Sequence, residues 1–516
     1  MRSKLADMFY ANAAKTPEKT AIWCDGKTLT YRQMAELVSR YSNLLLTHGV
    51  TYGDHVAIPM NNSIESVALF FSAADLGVCV VPLNPTLPLH AVKSAMASGD
   101  MKHLIARRAF LSDCDKNGGI DVAGVTICLD GEYEGAIPFA EIETMSAERP
   151  EIDQDVTGDE SLILTMTSGS TGNPKPIDLS QNNKYDRAMV HIKVFDITSE
   201  DRILTATPLY HSLAERLVIL PLIVGGTSIL LPRFTPAIWL ACAREQKVTF
   251  TIAVSAQLAQ VLELLEQPDT PPIDSFRAIV SSSALLEESV KRDLIKKLNC
   301  EFHETYGTSE ISNATSICFQ KAAHKQKSVG QRFYDEVEIR ILDEDDADAP
   351  VGQVGEIAVR TPLQCKGYYK LETMMAVSMC DGFFRTGDLG YLDEDGYLYF
   401  AGRKKELIIT GAVNVYPHDI DVVVEELPEV EECAAFAYPD DRLGEVVALA
   451  IVPKEDAELK LRTVKTYCAR HLADFQQPHK IFIVDKLPKN ALGKLQRMNI
   501  LSYVREAGLD DETDRS

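Results

Sequence analysis

The chain has 516 residues, 46% of them hydrophobic and 25% charged, which is typical of a globular protein and not of a disordered or fibrous one. This length exceeds what one hydrophobic core usually serves, so we expect roughly three to four folding units. Seventy-five acidic against 52 basic residues give a net charge of −23, which repels polyphosphate backbones, and nucleic acid is therefore not an expected partner.

The cysteines and the apolar runs indicate the cellular compartment and whether the chain crosses a membrane. The eleven cysteines are scattered singly from Cys24 to Cys468, without a CxxC pair. Such thiols are typical of reduced core residues, and not of a zinc site or a disulfide framework. The longest apolar run, residues 217–232, is broken by Pro221, Gly225 and Gly226 and is too short to span a bilayer. We therefore expect a cytoplasmic protein without integral membrane association.

Apolar runs and helical periods alternate between residues 20 and 305. A helix is predicted at 34–45, where apolar side chains recur on one face, and a strand is predicted at His55–Pro59. The later strand predictions in this region are 161–166, 203–207, 249–254 and 276–280. Strands that alternate with helices form βαβ units, so we expect a largely parallel sheet here.

After residue 329 the pattern changes to alternating side chains without long helices. Strands are predicted at 336–342 and 355–361, and residues 391–400 predict a hairpin that turns at Asp395 and Gly396. This region predicts an antiparallel β subdomain.

The last hundred residues return to a mixed pattern. Helices are predicted at 419–426 and 461–472, and strands at 434–438, 446–452 and 481–484. These elements suffice for a small core of their own, so a domain boundary is predicted at 402–405. The acidic tail, residues 510–516, is interpreted as a frayed terminus.

Residues 164–175, LTMTSGSTGNPK, carry five hydroxyl side chains, two glycines and one lysine directly after a predicted strand. Glycines let the backbone N–H groups approach an anion, hydroxyls donate hydrogen bonds, and Lys175 adds a positive charge. This composition predicts a phosphate-binding loop, although it is also typical of an ordinary loop. The spacing differs from GxxxxGK[ST], which excludes the usual nucleotide-hydrolase loop.

Four further segments follow: HETYGTSE at 303–310, RTGD at 385–388, GRKKELIITG at 402–411 and LPKNALGK at 487–494. With these motifs in this order, the chain resembles the adenylate-forming (AMP-binding) superfamily of acyl-CoA synthetases, peptide-synthetase adenylation domains and luciferases. The resemblance implies a large N-terminal domain, 1–402, of parallel-sheet βαβ subdomains with an antiparallel β subdomain. It also implies a small mobile α+β domain, 403–516, with a hinge near Lys405.

In that family a carboxylic acid attacks the α-phosphate of ATP, an acyl-adenylate and pyrophosphate form, and a thiol then displaces AMP. The resemblance thus implies an acyl-CoA synthetase, an acid–thiol ligase that uses ATP, Mg²⁺, CoA and a small carboxylic acid. Two alternatives stay open: an enzyme that loads the phosphopantetheine arm of a carrier protein, and a nucleotide-binding homologue that has lost the reaction. No motif selects the light-emitting luciferase branch.

The resemblance also implies roles for individual residues. Carboxylate and triphosphate are both anions, so their approach requires fixed positive charge and hydrogen-bond donors. Phosphate contacts are predicted for Thr167, Ser168, Gly169, Ser170, Thr171, Gly172 and Lys175, and further nucleotide contacts for Ser283, Ala284, Glu304, Thr305, Tyr306, Gly307, Thr308, Asp388, Arg403 and Lys494. Glu310 is predicted to bind Mg²⁺, which prefers oxygen ligands. Catalytic roles are predicted for Thr167, His211, Glu310 and Lys494.

Several of these residues also have an ordinary structural interpretation. Tyr306 either stacks on adenine or is a core aromatic, and Asp388 either accepts the ribose hydroxyls or stabilises its own turn. Arg403 is either a ribose or phosphate contact or a surface arginine, and Glu310 by itself would be a solvated loop carboxylate. The family places Lys494 between the carboxylate and the α-phosphate, whereas a lone loop lysine is usually a solvated charge.

Residues 209–214 resemble the segment that lines the family's acyl pocket. His211 is either a gate of this pocket or a packed histidine at a helix start. The aspartate that holds an α-amino group in peptide-synthetase domains has no counterpart here, which favours a simple acyl or aryl acid. Glu215 and Arg216 either reach a polar group of the substrate or form a solvated first helical turn.

The chain departs from the family pattern at four places. Pro176 replaces the glycine usual after the loop lysine, and Gln181 replaces a histidine. Ser282 and the three residues after it stand where Gly-Gly-Ala-Pro is usual. Ala412 replaces a glycine beside the family's pantetheine tunnel, so the thiol acceptor is the less secure part of the prediction.

Overall fold

A computed structural model describes residues 3–168, 174–411, 413–455, 457–490 and 493–509. Its internal contacts divide the chain into two units. Unit 1 comprises Met1–Gln326, Arg332–Glu338 and Arg360–Gly382, and unit 2 comprises Lys327–Gln331, Ile339–Val359 and Phe383–Ser516.

The secondary structure alternates strands and helices over most of its length. Up to residue 254 the elements are α1 (Lys4–Lys15), β1 (Thr20–Cys24), β2 (Lys27–Thr30), α2 (Tyr31–Thr47), β3 (His55–Pro59), α3 (Ile64–Leu76), β4 (Cys79–Leu83), α4 (Leu89–Ser98), β5 (His103–Ala106), α5 (Arg108–Lys116), β6 (Thr126–Cys128), β7 (Ile137–Pro138), β8 (Ser161–Ser168), β9 (Pro174–Ser180), α6 (Gln181–Val194), β10 (Arg202–Thr205), α7 (Ser212–Val224), β11 (Thr227–Leu230), α8 (Pro236–Glu245) and β12 (Phe250–Val254). The remaining elements are α9 (Ser255–Leu265), β13 (Ala278–Ser282), α10 (Glu288–Lys297), β14 (Glu301–Thr308), β15 (Ser312–Cys318), β16 (Gln331–Arg332), β17 (Glu338–Leu342), β18 (Gly355–Arg360), β19 (Gly367–Tyr368), α11 (Glu372–Val377), β20 (Met379–Cys380), β21 (Phe383–Leu392), β22 (Leu398–Arg403), β23 (Ile408–Thr410), β24 (Val413–Val415), α12 (Pro417–Glu425), β25 (Val430–Asp440), β26 (Gly444–Pro453), α13 (Leu461–His471), β27 (Lys480–Ile483) and α14 (Ile500–Glu506).

Unit 1 is built on two sheets. One has the order β19-β9-β8-β4-β3-β5-β6-β7, and the other has the order β16-β15-β14-β13-β12-β10-β11-β1-β2. The central neighbours are parallel, and antiparallel pairs such as β8 with β9 and β14 with β15 lie toward the margins. The predicted βαβ organisation and parallel strands are confirmed.

Local signals explain why the helix predicted at 34–45 begins where it does. α2 starts with a capping box, because the Thr30 hydroxyl accepts from the Gln33 N–H and the Gln33 side chain accepts from the Thr30 N–H. Its apolar face, which includes Met34, Val38 and Tyr41, is fully buried. The pattern of apolar side chains was therefore sufficient to predict this helix.

Unit 2 contains the predicted antiparallel subdomain. Strands β18, β21 and β22 pair antiparallel, and β17 lies beside β18. β21 and β22 form the predicted hairpin, in which Asp393 N–H donates to Tyr397 and Gly396 has a φ of +77°. A left-handed residue in a tight turn favours glycine, which is why the Asp-Gly signal was reliable.

The C-terminal part of unit 2 is the predicted small α+β domain. A sheet of order β24-β23-β26-β25, with β27 parallel to β26, buries both of its faces. One face packs against α12 and α13 through side chains such as Ile420 and Val464, and the other packs against α14 through Ile500 and Val504. This region therefore has a hydrophobic core of its own.

Two findings concern the cysteines and the helices. All eleven cysteines are free thiols, and most are buried. Within the ranges given above, no helix combines the length and the apolar character that crossing a bilayer requires.

Candidate active site

The predicted nucleotide contacts on and directly after β13 and β14 lie at one edge of the nine-stranded sheet. β13 and β14 are parallel neighbours, paired from Ala278 with Glu301 to Ser281 with Glu304. Because the carboxyl ends of parallel strands meet at the same edge, Ser283 and Ala284 lie beside the end of β14, where the HETYGTSE motif is located. The fold thus brings together two segments that the sequence predicted separately.

Ser283 explains one departure from the family pattern. Its φ of +77° lies in the left-handed region, where a residue with a Cβ costs about 1–2 kcal/mol relative to glycine. The next residue, Ala284, accepts a hydrogen bond of 2.6 Å from the Ser255 hydroxyl through its carbonyl oxygen. Ser283 therefore adopts the backbone conformation that a glycine would favour, and the hydrogen bond from Ser255, the first residue of α9, stabilises this turn.

The residues of β14 differ in how far their polar groups are satisfied. The Glu304 carboxylate lies 2.5 Å from the Lys291 ammonium, both are buried, and burial raises the pKa of Glu304. Among the described residues, the buried hydroxyl oxygens of Thr305 and Thr308 have no hydrogen-bond partner. Buried polar groups are normally paired, so these hydroxyls fit a polar ligand at the strand end. Tyr306 is 9% exposed.

We expect Gly307→Ala to destabilise the protein strongly. A Cβ at this position would lie 2.0 Å from the carbonyl oxygen of Ser312, so the hairpin of β14 and β15 must shift at a cost of about 3 kcal/mol. Thermal unfolding followed by intrinsic fluorescence should show a midpoint several degrees below that of the wild type. Gly26→Ala is the control, because its Cβ would meet open space and only its φ of +80° opposes the change. Equal midpoints for the two variants would contradict the prediction.

The serine- and glycine-rich segment connects two paired strands. The ladder of β8 and β9 reaches Thr167 with Lys175 and Ser168 with Pro174, so the loop is closed at its base by a hairpin. The predicted contacts Gly169, Ser170, Thr171 and Gly172 lie outside the described residues.

Tyr368 connects Lys175 with Glu310. The Lys175 ammonium lies 5.9 Å from the centroid of the Tyr368 ring, and the Tyr368 hydroxyl donates a hydrogen bond of 2.9 Å to Oε1 of Glu310. Burial and the Glu310 carboxylate both raise the pKa of Tyr368, so its hydroxyl keeps its proton at neutral pH. A predicted phosphate-binding lysine and a predicted magnesium ligand thus lie on either end of one side chain. A half-buried carboxylate oriented beside a lysine fits a metal ion that carries phosphates.

Arg187 holds the turn that carries Glu310. Its guanidinium donates to the carbonyl oxygens of Ser309 at 2.9 Å and Glu310 at 2.8 Å, and the N–H of Cys365 also donates to Glu310 O. Neither Arg187 nor Tyr368 was predicted as a site residue. An arginine in a helix and a tyrosine after a glycine carry no local signal, because their partners come from distant parts of the chain.

His211 is the N-cap residue of α7 and is half-buried. Burial lowers its pKa to about 4, so the imidazole is neutral at physiological pH. Its Nε2 has no hydrogen-bond partner among the described residues, and the Tyr210 ring lies 4.6 Å away between centroids. Glu215, one turn further, is 3% exposed and forms an ion pair with Lys184, so the interpretation of a solvated helical turn is wrong for this residue.

Two departures from the family pattern have structural partners. The Gln181 side chain is buried, donates to Ala74 O at 3.0 Å and accepts from the Ser3 hydroxyl. The carbonyl oxygen of Pro176 accepts from the Tyr369 N–H. Ala412 lies outside the described residues.

In unit 2, Asp388 and Arg403 stand opposite each other on β21 and β22. Nε of Arg403 lies 3.1 Å from Oδ1 of Asp388, and the Asp388 side chain is 3% exposed. The Asp388 N–H donates to the Thr386 hydroxyl where the register of β18 and β21 shifts, so the predicted Thr-Gly-Asp turn is instead an irregularity inside β21. A buried carboxylate oriented by an arginine suits a ligand hydroxyl pair, and the same contact makes Arg403 more than a surface residue.

Lys494 lies near this pair. The residue as a whole is exposed, but the protein atoms around its ammonium lower the pKa of Lys494, and the Arg403 charge lowers it further, whereas Asp388 and Glu406 raise it. Its N–H donates to Oδ1 of Asn490. Lys494 therefore lies within electrostatic range of Asp388 and Arg403, which were predicted from other motifs.

Arg497, which was not predicted, anchors the segment that carries Lys494. Its Nη2 lies 2.6 Å from the buried Asp421 carboxylate, and its Nε lies 3.4 Å from Glu406. The ion pair with Asp421 connects the segment to α12 and restricts where Lys494 can lie.

Comparison with known proteins supports the resemblance to AMP-binding enzymes over almost the whole chain. A family profile described as AMP-binding enzyme matches residues 9–369, and one described as AMP-binding enzyme C-terminal domain matches residues 419–494. The indoleacetate–CoA ligase of Aromatoleum aromaticum is 30% identical over 515 residues, which cover 99% of this chain and 100% of that protein.

Solved structures are similar over almost the full length. ATP-bound MatB from Rhodopseudomonas palustris superposes with a TM-score of 0.87 at 27% identity, over 97% of this chain and 99% of that chain. o-Succinylbenzoate CoA synthetase (MenE) from Bacillus subtilis, solved with ATP and magnesium ion, gives 0.84 at 28% identity, over 96% and 99%. MenE has also been solved with an acyl-adenylate intermediate.

Proposed function

The chain belongs to the AMP-binding enzyme family, and from this premise we propose that it is an AMP-forming acid–thiol ligase that converts a carboxylic acid to its CoA thioester. The cosubstrates are ATP and CoA, and Mg²⁺ accompanies the nucleotide. The related indoleacetate–CoA ligase and the MenE complexes with ATP and with an acyl-adenylate support this assignment.

The reaction has two balanced steps. A carboxylate oxygen of the acid attacks the α-phosphorus of ATP, and the bond to the β-phosphate breaks, which releases pyrophosphate and leaves an acyl-adenylate. The sulfur of CoA then attacks the acyl carbon, AMP leaves with the oxygen that came from the acid, and the thiol proton is lost to solvent. The first step joins two anions, so it depends most on positive charge held in place.

Lys175, Tyr368 and Glu310 support this function most directly. Lys175 would neutralise the charge of the terminal phosphates, and Tyr368 orients the Glu310 carboxylate through its hydroxyl. Bound Mg²⁺ would be held by Glu310 and would supply charge neutralisation of the triphosphate. The hydroxyl of Thr308 is a further donor at the same strand end.

Asp388, Arg403 and Lys494 form the second group of proposed contacts. The Asp388 carboxylate would accept the two ribose hydroxyls, and Arg403, which already contacts Asp388, would keep it oriented. Lys494 would offset the charge that develops between the carboxylate and the α-phosphate. Domains 1–402 and 403–516, with a hinge near Lys405, remain part of this proposal. Lys405 lies in a single 3-10 turn directly after β22, and such short segments absorb backbone changes.

His211 is proposed to line the acid side of the site. A neutral imidazole packed on Tyr210 can move by a change of side-chain rotamer without exposing a buried charge. A cytoplasmic location is also part of the proposal, and the eleven free thiols support it. The proposed thiol acceptor is CoA and not a carrier protein, which the related CoA ligase supports.

We expect the purified protein to exchange labelled pyrophosphate into ATP only when a suitable carboxylic acid is present. Such exchange reports acyl-adenylate formation without a thiol, and addition of CoA should then yield thioester, AMP and pyrophosphate in equal amounts. Absence of exchange with every acid would contradict the proposed enzyme and favour a nucleotide-binding homologue. Thioester formation with a holo carrier protein but not with CoA would contradict the proposed acceptor.

A further inference from the structure

Helices α6 and α7 carry a group of buried charges in unit 1, which we call the α6–α7 cluster: Lys184, Arg187, Glu215 and Arg216. Nζ of Lys184 lies 2.5 Å from Oε2 of Glu215, and both side chains are 4% exposed. This pair is neutral as a whole. The cluster therefore contains three cationic side chains and one carboxylate.

The two arginines of the cluster contact only neutral acceptors among the described residues. Arg187 donates to the carbonyl oxygens of Ser309, Glu310 and Leu363. Nη1 of Arg216 lies 2.9 Å from Nε2 of His191 and 3.2 Å from Oδ1 of Asn313.

His191 does not compensate the charge of Arg216. Its Nδ1 donates to the carbonyl oxygen of Arg187, so Nε2 is the acceptor of a neutral imidazole. Burial and the nearby Arg216 charge lower the pKa of His191, in agreement with this tautomer. Burial and the Arg187 charge lower the pKa of Arg216 to about 9, and the Glu215 carboxylate offsets only part of this effect.

A buried cation without an anion is costly, because the desolvation of the charge is not recovered. Arg187 offsets this cost with four contacts to carbonyl oxygens. Arg216 has only the two contacts from Nη1, and no described protein atom accepts from its Nε or Nη2. The residue as a whole is nevertheless only partly buried.

Asn313 provides a second donor at the same place. Its Oδ1 accepts from Arg216, and its Nδ2 is buried without a hydrogen-bond partner among the described residues. The side chain belongs to a residue that is only 6% exposed. Two neighbouring groups, a guanidinium and an amide, thus have unused N–H donors and no acceptor.

The location of these donors connects them with the acid. Arg216 lies on the first turns of α7, which begins directly after His211. Asn313 pairs with Gly307 across the hairpin that leads to Glu310. The unused donors are therefore carried by the helix that begins at the proposed acid-lining histidine and by the hairpin that carries the proposed nucleotide contacts.

We propose that Arg216 and Asn313 form a subsite for a second anionic group of the acid, so that the substrate is a dicarboxylic acid activated at one carboxylate and held by the other. This inference rests on the proposed ligase function and names the substrate class of that enzyme. The second carboxylate would accept from the guanidinium and from the Asn313 amide. Glu215 does not bind Arg216: its Oε2 is held by Lys184, and its Oε1 has no hydrogen-bond partner among the described residues.

The test compares acids that differ only in the second carboxylate: hexanoate with adipate, decanoate with sebacate, and benzoate with isophthalate. Acid-dependent pyrophosphate exchange gives kcat/KM for each. The wild type should prefer the dicarboxylic member of at least one pair by at least about tenfold. Arg216→Gln should lower kcat/KM for that member by about 100-fold, because the second carboxylate of the acid would then be buried without a charged partner. The monocarboxylic member should change by less than about threefold, as expected for a contact it does not make.

Two further variants separate recognition from folding. Arg216→Lys keeps the charge and should retain part of the preference for the dicarboxylic acid. Arg202→Gln is the matched control, because Arg202 is likewise desolvated and, among the described residues, its side chain donates only to Gln246. Arg202 is the first residue of β10, at the end of the sheet opposite to the carboxyl ends of the strands. Arg202→Gln should leave the preference unchanged. Melting curves of all variants report folding.

The outcomes distinguish the inference from the proposed function. A wild type that prefers the monocarboxylic member of every pair would overturn the subsite while the ligase function stands, and this result needs no variant. Equal losses for both members of a pair in Arg216→Gln would also overturn it, because they would indicate a structural role. Absence of exchange with all acids would contradict the ligase function itself, and the subsite with it.

Discussion

Replacement of Lys494 by alanine is expected to lower acid-dependent pyrophosphate exchange by about 1,000-fold while the affinity for ATP changes by less than about threefold. The ammonium would act on charge that develops as the carboxylate attacks the α-phosphate, and such an interaction is stronger in the transition state than with bound ATP. Initial rates of pyrophosphate exchange measure the adenylation step, and calorimetric titration with ATP measures the affinity for ATP separately. Thioester formation from added acyl-adenylate and CoA should be largely retained, because the first step is then bypassed.

Lys489→Ala is the matched control for Lys494. Lys489 lies in the same C-terminal segment, but its ammonium forms an ion pair with Glu432 at the surface, and its loss should leave exchange unchanged. Equal losses of exchange and of ATP affinity in Lys494→Ala would show that this lysine binds the ground state, and its proposed catalytic role would then be wrong.

Glu310→Gln is expected to lower kcat/KM for ATP by about 100-fold and to raise the Mg²⁺ concentration needed for half-maximal activity by about tenfold. The amide keeps the shape of the side chain and can still accept from Tyr368, but it lacks the negative charge that a hard divalent cation prefers. A titration of exchange activity with Mg²⁺ at fixed ATP measures both effects.

Glu301→Gln is the control for Glu310, since it removes a carboxylate from the same strand pair. Glu301 is half-exposed and is paired with Lys321 and His303 instead of facing the turn. Its loss should leave the Mg²⁺ requirement unchanged. A Glu310→Gln variant with a normal Mg²⁺ requirement would refute the assignment of this residue as the metal ligand.

The motifs identified the segments of the site better than they identified its contacts. β8 begins at residue 161, as the sequence predicted, and HETYGT forms the last six residues of β14. RTGD was predicted to form a turn, but it lies inside β21. A strand that begins a motif is predictable because apolar pattern acts over a few residues, whereas pairing with distant strands decides whether a turn-like sequence stays in a strand. The individual nucleotide contacts remain predictions, and Gly169, Ser170, Thr171 and Gly172 lie outside the described residues.

Residues without a motif could not be found in this way. Tyr368 contacts Glu310 across 58 positions of sequence, and Arg187 contacts Ser309 across 122. One of the two interpretations of Glu215 was a solvated helical residue, because acidic side chains are common in first helical turns. Its burial follows from the packing of α6 against α7, which places Lys184 beside it.

By itself, therefore, the sequence determined the order of the elements, the parallel and antiparallel regions and the small C-terminal domain, and it predicted the segments that would surround the nucleotide. Only the tertiary structure decided which side chains meet: Tyr368 between Lys175 and Glu310, Arg403 against Asp388, and Arg216 among neutral partners. The physical reason is one of range. Backbone propensity and apolar periodicity depend on near neighbours in the chain, whereas the electrostatic environment of a buried charge depends on whichever distant segment packs against it.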